Sequence, residues 1–261
     1  MFKFCSLFSG SSGNSSLIQT ENTKILIDAG VSCKKIVDSL SSINVNPFEI
    51  DAILITHEHS DHTNGVGIFS KKYNIPVYAN IETWEAMPSQ KEKLDENNIK
   101  IFDFNKFDIG DLSIQPFSIP HDAANPCGFN VYNGNKKISI ATDIGHMTTE
   151  VIDKLSKSSF ILLESNYDIN ALKCSRYPYP LKQRIAGPNG HLSNDEAGKT
   201  ISYLAEHGLN TVMLGHLSKE NNFPELAYQT VVNTLIENNI DTNFNLSVAD
   251  RYNVSPIIDI S

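Results

Sequence analysis

The sequence predicts a layered α/β fold built as one domain over residues 1–261. Three observations carry that expectation. Apolar strand-like runs alternate with helix-spaced segments along the chain, no Pro/Gly/Ser stretch reaches domain-linker length, and 40% hydrophobic content over 261 residues can bury a sizeable core.

"FKFCSLF", "SSLIQT" and "KILIDAG" run apolar or alternate, with turn residues between them, as hairpin strands do. The turn joining the first two, within "SGSSGNSS" at 9–16, is glycine-rich but lacks the lysine and spacing of a P-loop. If it lines a cleft, Ser11, Ser12 and Asn14 are placed to touch a phosphate. "CKKIVDSLSS" has helical spacing and "DAILIT" is a buried-strand run. A helix over "NGVGIFSKKY", strand "PVYA", helix "IETWEAM" and strand "IKIFDF" follow, then the strands "LSIQPFSIP", "GFNVYN" and "KKISIATD". The second half repeats strand then helix: a helix near 148–157, strand "FILLES", a proline-rich loop, a helix near 194–207, strand "TVMLGH" and a helix near 224–238. "NFNLSVAD" and "SPIIDI" are the last strands.

Lysine plus arginine number 21 against 30 aspartate plus glutamate, a net charge of −9, so any nucleic-acid contact has to be a local basic patch. The four cysteines, Cys5, Cys33, Cys127 and Cys174, stand far apart without a CxxC pair. That indicates neither a disulfide framework nor a thiolate zinc site, and fits a reducing, cytoplasmic setting. The apolar stretch after Lys3 is too short for a signal peptide, and no window approaches the roughly 18 apolar residues of a membrane span.

The chemistry concentrates in "ILITHEHSDH", residues 53–62. A buried strand ends and delivers His57, His59, Asp61 and His62 within six positions of irregular backbone. A lone histidine at a strand end is ordinarily a satisfied surface or core residue, but polar side chains crowded there are costly to desolvate unless paired or bound to metal. Extended backbone sends His57 and His59 the same way, toward one cation, and Asp61 and His62 can serve a second. Imidazole and carboxylate ligands suit zinc, manganese or iron. Three more strand ends carry a ligand type: His121 after "FSIP", Asp143 after "ISIAT" and His216 after "TVMLG".

These residues resemble the metallo-β-lactamase fold, an αββα sandwich of two mixed β-sheets with helices on the outer faces. The resemblance implies that His57, His59 and His121 bind a first divalent ion, Asp61, His62 and His216 a second, and that Asp143 bridges them. The fold serves acyl hydrolases and phosphodiesterases alike, so the branch has to come from the site.

The tetrapeptide "GHLS" occurs twice, around His191 and His216, and does two jobs. His216 ends a strand as a ligand should. His191 precedes a helix with Ser193 at its N-cap, Glu196 as capping-box partner and Gly208 past its end, so its surroundings include a helix N-terminus able to face an anion. Nucleases of this fold such as tRNase Z and RNase J carry a metal-free histidine in that slot as proton donor. By the same resemblance Glu164 stands where the tRNase Z branch has an acidic residue, able to orient His191.

The intervening "LKCSRYPYPLKQRIAGPNGH" is the most basic and aromatic stretch, with Lys173, Arg176, Tyr177, Tyr179, Lys182 and Arg184. Cations for phosphates and rings for bases suit a strand-binding groove, for which Arg176, Tyr179, Lys182, Arg184 and Ser193 are the substrate-binding candidates. There is no β-CASP insertion. "FSGSSGN", "THEHSDH", "IPHDAANPCGF", "ESNYD", "YPYPLKQRI", "GHLSN" and "LGHLSKENN" together resemble the YycJ family, also called WalJ or VicX. That resemblance implies a cytoplasmic, metal-dependent 5′-to-3′ DNA exonuclease, with a hydroxide held by two metals as nucleophile, Asp61 orienting it and His191 as acid. Two rivals remain. A small-molecule hydrolase acting on a thioester, lactone or cyclic nucleotide would work without the basic loop, and a non-catalytic binding module would be expected to have lost ligands.

Overall fold

A computed structural model describes residues 1–240 and 244–260. Its strands are β1 (Lys3–Phe8), β2 (Ser15–Gln19), β3 (Lys24–Ile27), β4 (Ala52–Leu54), β5 (Val77–Ala79), β6 (Ile99–Ile101), β7 (Phe107–Ile109), β8 (Leu112–Ser118), β9 (Cys127–Asn133), β10 (Lys136–Ala141), β11 (Phe160–Glu164), β12 (Thr211–Gly215), β13 (Asn245–Val248) and β14 (Ile258–Asp259). They form two seven-stranded sheets, ordered β14-β1-β2-β3-β4-β5-β6 and β13-β12-β11-β10-β9-β8-β7. Each sheet is mixed in the same way: β14 through β3 pair antiparallel and β3 through β6 parallel, while β7 through β10 pair antiparallel and β10 through β13 parallel.

Helices α1 (Cys33–Ser42), α2 (Ser60–Thr63), α3 (Val66–Tyr73), α4 (Ile81–Ala86) and α5 (Pro88–Lys91) connect strands of the first sheet. The second half carries α6 (Thr149–Leu155), α7 (Ile169–Cys174), α8 (Tyr179–Ile185), α9 (Asn194–Glu206) and α10 (Pro224–Glu237).

Strand periodicity explains why so many strands read as unbroken apolar runs. Successive side chains point to opposite faces, and both faces are covered. On β3, Ile25 and Ile27 enter the core between the sheets while Leu26 packs among α1 and α3 residues. On β11, Phe160 and Leu162 enter the same central core, whereas Ile161 and Leu163 join the α9 and α10 residues Ile201, Leu204 and Val231. The result is the expected αββα sandwich. Each fully buried Ile, Leu or Phe contributes roughly 1.5–3 kcal/mol.

Three expectations need correction. The proline-rich loop is two helices, α7 and α8, because Pro180 falls in the first turn of α8, where a missing N–H costs nothing. β7 was not anticipated, since three residues on a sheet edge with Asp108 exposed give no apolar run. The irregular backbone after His59 contains a helical turn, α2, closed by His59 and Ser60 carbonyls. The strand expected over "NFNLSVAD" begins at Asn243, outside the described residues, and its remainder contains β13.

The parallel strands and β8 all end at one edge of the sandwich. There Asp28, Asp143 and His216 leave β3, β10 and β12 with φ of 61°, 61° and 53°. Left-handed backbone at a non-glycine residue is uncommon and turns the side chain sharply out of the sheet. Close packing sets a further requirement at Gly30, where a Cβ would sit 1.6 Å from the Asp61 carbonyl oxygen and 2.8 Å from Asn14 N. Gly30→Ala is therefore expected to destabilise the metal-free protein by about 2–3 kcal/mol. Urea denaturation checks this, and an unchanged midpoint would contradict the close approach.

Candidate active site

The strand ends bring seven predicted residues into one cluster. His57, His59 and His121 offer ring nitrogens that all lie within 4.8 Å of one another, as do the ligand atoms of Asp61, His62 and His216. Asp143 lies between these groups. Its Oδ2 is 3.1 Å from His62 Nε2 and its Oδ1 is 3.6 Å from His121 Nε2 and 3.3 Å from His216 Nδ1.

Each imidazole except His59 is held from behind. His57 Nδ1 contacts Thr56 Oγ1 at 3.0 Å, His121 Nδ1 donates to Gly190 O at 2.9 Å, and His62 Nδ1 donates to Asp28 Oδ2 at 2.7 Å. His216 and His191 both donate Nδ1–H to Glu164 Oε1, each at 2.8 Å. Such partners fix the ring and turn Nε2 toward the other ligand groups, the arrangement found behind metal-binding histidines, although His62 Nε2 also meets Asn14 Nδ2 at 3.0 Å. His57 Nε2, His121 Nε2, His216 Nε2 and Asp143 Oδ2 are buried without a hydrogen-bond partner. A divalent cation fits that donor set, since buried lone pairs on imidazole and carboxylate are otherwise left uncompensated.

The charges agree. Burial together with the neighbouring His62 pushes the His57 ring well below the usual histidine range, which keeps it neutral and able to coordinate. Burial opposes a charge on His216, yet Asp143, Asp61 and Glu164 around it push its pKa up to about 10. Burial opposes ionisation of Asp143, but His216 and His62 hold its carboxyl well below the usual range. Positive charge is required at this place, and cations would supply it in exchange for protons.

Glu164 does more than the sequence suggested. Fully buried, it also accepts from Ile144 N at 2.7 Å and Leu192 N at 3.0 Å through Oε2. Asp143, Glu164, His191 and His216 also form a cluster of possible ligands, but Glu164 Oε1 and both Nδ1 atoms are already joined by hydrogen bonds. His191 stands beside the ligand cluster with its side chain 23% exposed to the cleft.

The cleft has a volume of about 260 Å³, and its walls include Ser11, Asp122, Tyr177, Arg184 and Ser218 beside the histidines. Of the substrate-binding candidates, Arg184 lies on its wall. Tyr179 is 71% exposed on α8, and Arg176 belongs to a separate surface depression with Glu220. Lys182 Nζ donates to Lys173 O and Ser175 O, closing the end of α7. Ser193 is buried and caps α9 by accepting from Glu196 N at 3.2 Å; the capping box is half made, because Glu196 turns to Lys199. Ser12 is exposed off the cleft, and buried Asn14 reaches into the ligand cluster, its Nδ2 3.0 Å from His62 Nε2.

Sequence reasoning missed Asp28, Ser9 and Asn166. Asp28 also accepts from Thr56 N and Thr56 Oγ1, Ser9 Oγ accepts from His216 N, and Asn166 Nδ2 donates to His216 O. Asp28 ends "KILID", so the strand-end rule that found Asp143 applies to it equally.

A buried two-cluster histidine and carboxylate centre at one edge of an αββα sandwich defines a metallohydrolase-type site. Residues 9–216 match the Metallo-beta-lactamase superfamily. The chain is 40% identical to "Exodeoxyribonuclease WalJ" of Streptococcus pneumoniae over 95% of its length and 94% of that protein's. It is 35% identical to "Exodeoxyribonuclease YycJ" of Bacillus anthracis, covering 90% of this chain and 89% of that one. Among solved structures, YhfI of Bacillus subtilis shares the fold with a TM-score of 0.74 at 16% identity, covering 97% and 98% of the two chains. The short form of human tRNase Z does so at 0.68 and 15%, covering 99% of each chain. The chain belongs to the metallo-beta-lactamase superfamily and, within it, to the WalJ/YycJ family.

Zinc or manganese at 100 times its Kd is expected to stabilise the metal-free protein by about 2.7 kcal/mol per site. Asp143→Asn should remove most of the resulting rise in melting temperature. Equal rises in the two proteins would mean that Asp143 does not join the clusters.

Proposed function

We propose that this chain is a metal-dependent 5′-to-3′ exonuclease acting on DNA, working in the cytoplasm as one metallo-β-lactamase domain without a β-CASP insertion. The observation that carries the reading is His191, held through Nδ1 by buried Glu164 and open to the cleft beside the cation cluster. An acid in that place serves a poor leaving group such as a 3′ oxygen.

His57, His59 and His121 would hold one divalent ion and Asp61, His62 and His216 the other, with Asp143 between them. When bound, the ions supply Lewis acidity and make water a nucleophile near neutral pH. Zinc, manganese and iron all suit the donors. Asp61, with its side chain 24% exposed, accepts a hydrogen bond from the attacking water and orients it toward phosphorus. Glu164 keeps the proton of His191 on Nδ1 and favours the charged ring: burial opposes that charge, but Glu164 and Asp143 raise the pKa above its ordinary value. His191 then gives its Nε2 proton to the departing 3′ oxygen. Arg184 offers its guanidinium to a phosphate at the cleft wall.

All four cysteines are free, in keeping with a reducing compartment, and among the described residues no helix is long and apolar enough to cross a membrane.

The direct test is incubation of metal-reconstituted protein with end-labelled DNA and RNA, single and double stranded. Stepwise shortening of DNA from the 5′ end is expected; absence of cleavage of any strand sinks the reading. His191→Ala should keep its metal and lose about 10²- to 10³-fold in kcat on DNA. The deficit should shrink on a p-nitrophenyl phosphodiester, whose leaving group needs no proton. An equal deficit on both substrates would assign His191 another role.

A further inference from the structure

We infer that a further depression, at the side edge of the sandwich, is a docking site for an extended segment of a partner protein carrying an arginine or lysine between apolar residues. The inference does not depend on the nuclease reading. The depression lies between β6 and β7, one edge strand of each sheet, and has a volume of about 680 Å³ against about 260 Å³ for the cleft. Aromatic rings line it. Tyr78 and Phe102 each stack with Phe107, at 5.6 Å between centroids and interplanar angles of 10° and 19°. Phe104 lines it as well, and Ile81 and Ile101 stand at it 41% and 58% exposed.

Its charge is of one sign. Glu82, Asp103 and Asp108 line the depression, and its described lining includes no lysine or arginine. All three carboxylates are exposed and accept from neutral donors: Asn125 Nδ2 to Glu82 at 3.1 Å, Asn105 N to Asp103 at 2.9 Å and Ser113 Oγ to Asp108 at 2.6 Å. Lys106, between Phe104 and Phe107 in sequence, is directed instead over the Tyr132 ring, its Nζ 4.6 Å from the centroid and outside this lining. Aromatic faces carry negative potential and attract a cation, a guanidinium above all. Rings and carboxylates together select a positive group on an apolar stem, which describes arginine and lysine and excludes a polyanion.

The backbone favours a chain segment over a small cation. Phe102 N donates to Ala79 O at 3.2 Å, so strand alternation turns the Ile101 N–H and C=O away from β5, toward the open edge of the sheet. An extended segment can pair there and lay its cation on the rings, with Ile81 and Ile101 meeting the apolar residues beside it. The place also borders the catalytic centre. The loop after β8 has Asp122 in the cleft, where it accepts from Arg184 Nε, and Asn125 in the depression, where it donates to Glu82. A partner seated here holds one end of that loop.

The test is fluorescence anisotropy on the full chain with a labelled heptapeptide that has one arginine between two leucines and glycine–serine ends. The same peptide with citrulline, the neutral isostere, in place of arginine is the control. The arginine peptide is expected to bind saturably and about two- to thirtyfold more tightly than the citrulline peptide, the range of a cation on an aromatic face as desolvation increases. Glu82→Gln, Asp103→Asn and Asp108→Asn combined should leave the melting transition in place and remove most of that preference. Unlabelled N-acetylarginine amide, which has the cation without the strand, should compete far less well than unlabelled peptide. Equal binding of the two peptides, no binding at millimolar peptide, or a preference that survives the triple substitution overturns the inference. Competition by N-acetylarginine amide as effective as that of the peptide assigns the depression to a small cation and overturns a protein partner.

Discussion

The site depends on one buried carboxylate. Glu164 ends β11 in the middle of the second sheet, is fully buried, and accepts from four N–H groups: His191, His216, Ile144 and Leu192. Burying an ionised carboxylate costs several kcal/mol unless the surroundings satisfy it, so the four donors are a condition of the fold as well as of the site. They come from the turn after Asp143, the loop before α9 and the end of β12. One side chain therefore sets the spacing of three chain segments that are distant in sequence. Asp28 does the same in the first sheet, where it gathers Thr56 and His62.

Electrostatics then give the proposed cations a second use. Asp61, Asp122, Asp143 and Glu164 gather at or beneath a cleft whose described lining has Arg184 as its one basic residue outside the histidines, in a chain of net charge −9. Without divalent ions the balancing charge rests on histidine protons, at His216 and His191 among others, rather than on the doubly charged ions the donor set suits. Bound metal ions are often the largest local charges and reverse the sign of the field around them. On the proposed function, the ions admit the substrate as well as activate water.

Much of this was legible in the sequence because the two governing patterns are short-range. Strand periodicity and the histidine run at 57–62 are written in adjacent residues, and the rule that ligands stand at strand ends found His121, Asp143 and His216. What was not legible depended on contacts made elsewhere. The segment with Pro178 and Pro180 read as a proline-rich loop, yet Pro180 falls in the first turn of a helix. Lys182 read as a phosphate cation, yet its ammonium is occupied by two carbonyls of the neighbouring turn. Ser193 was legible as a cap and not as buried. Asp122 carried no pattern of its own, since its partner lies 62 residues away.

The left-handed backbone at Asp28, Asp143 and His216 has a consequence for how the molecule would decay. Glycine adopts that conformation without strain, so each position would be locally more comfortable with no side chain at all. A copy of this chain released from the need to hold its site would gain backbone ease by giving up these three residues first. Their presence together is a signature of use: aspartate, aspartate and histidine stand where the main chain alone would favour glycine. The residue that stands at each of these three left-handed strand exits, rather than the backbone dihedral, thus separates working members of such a fold from retired ones.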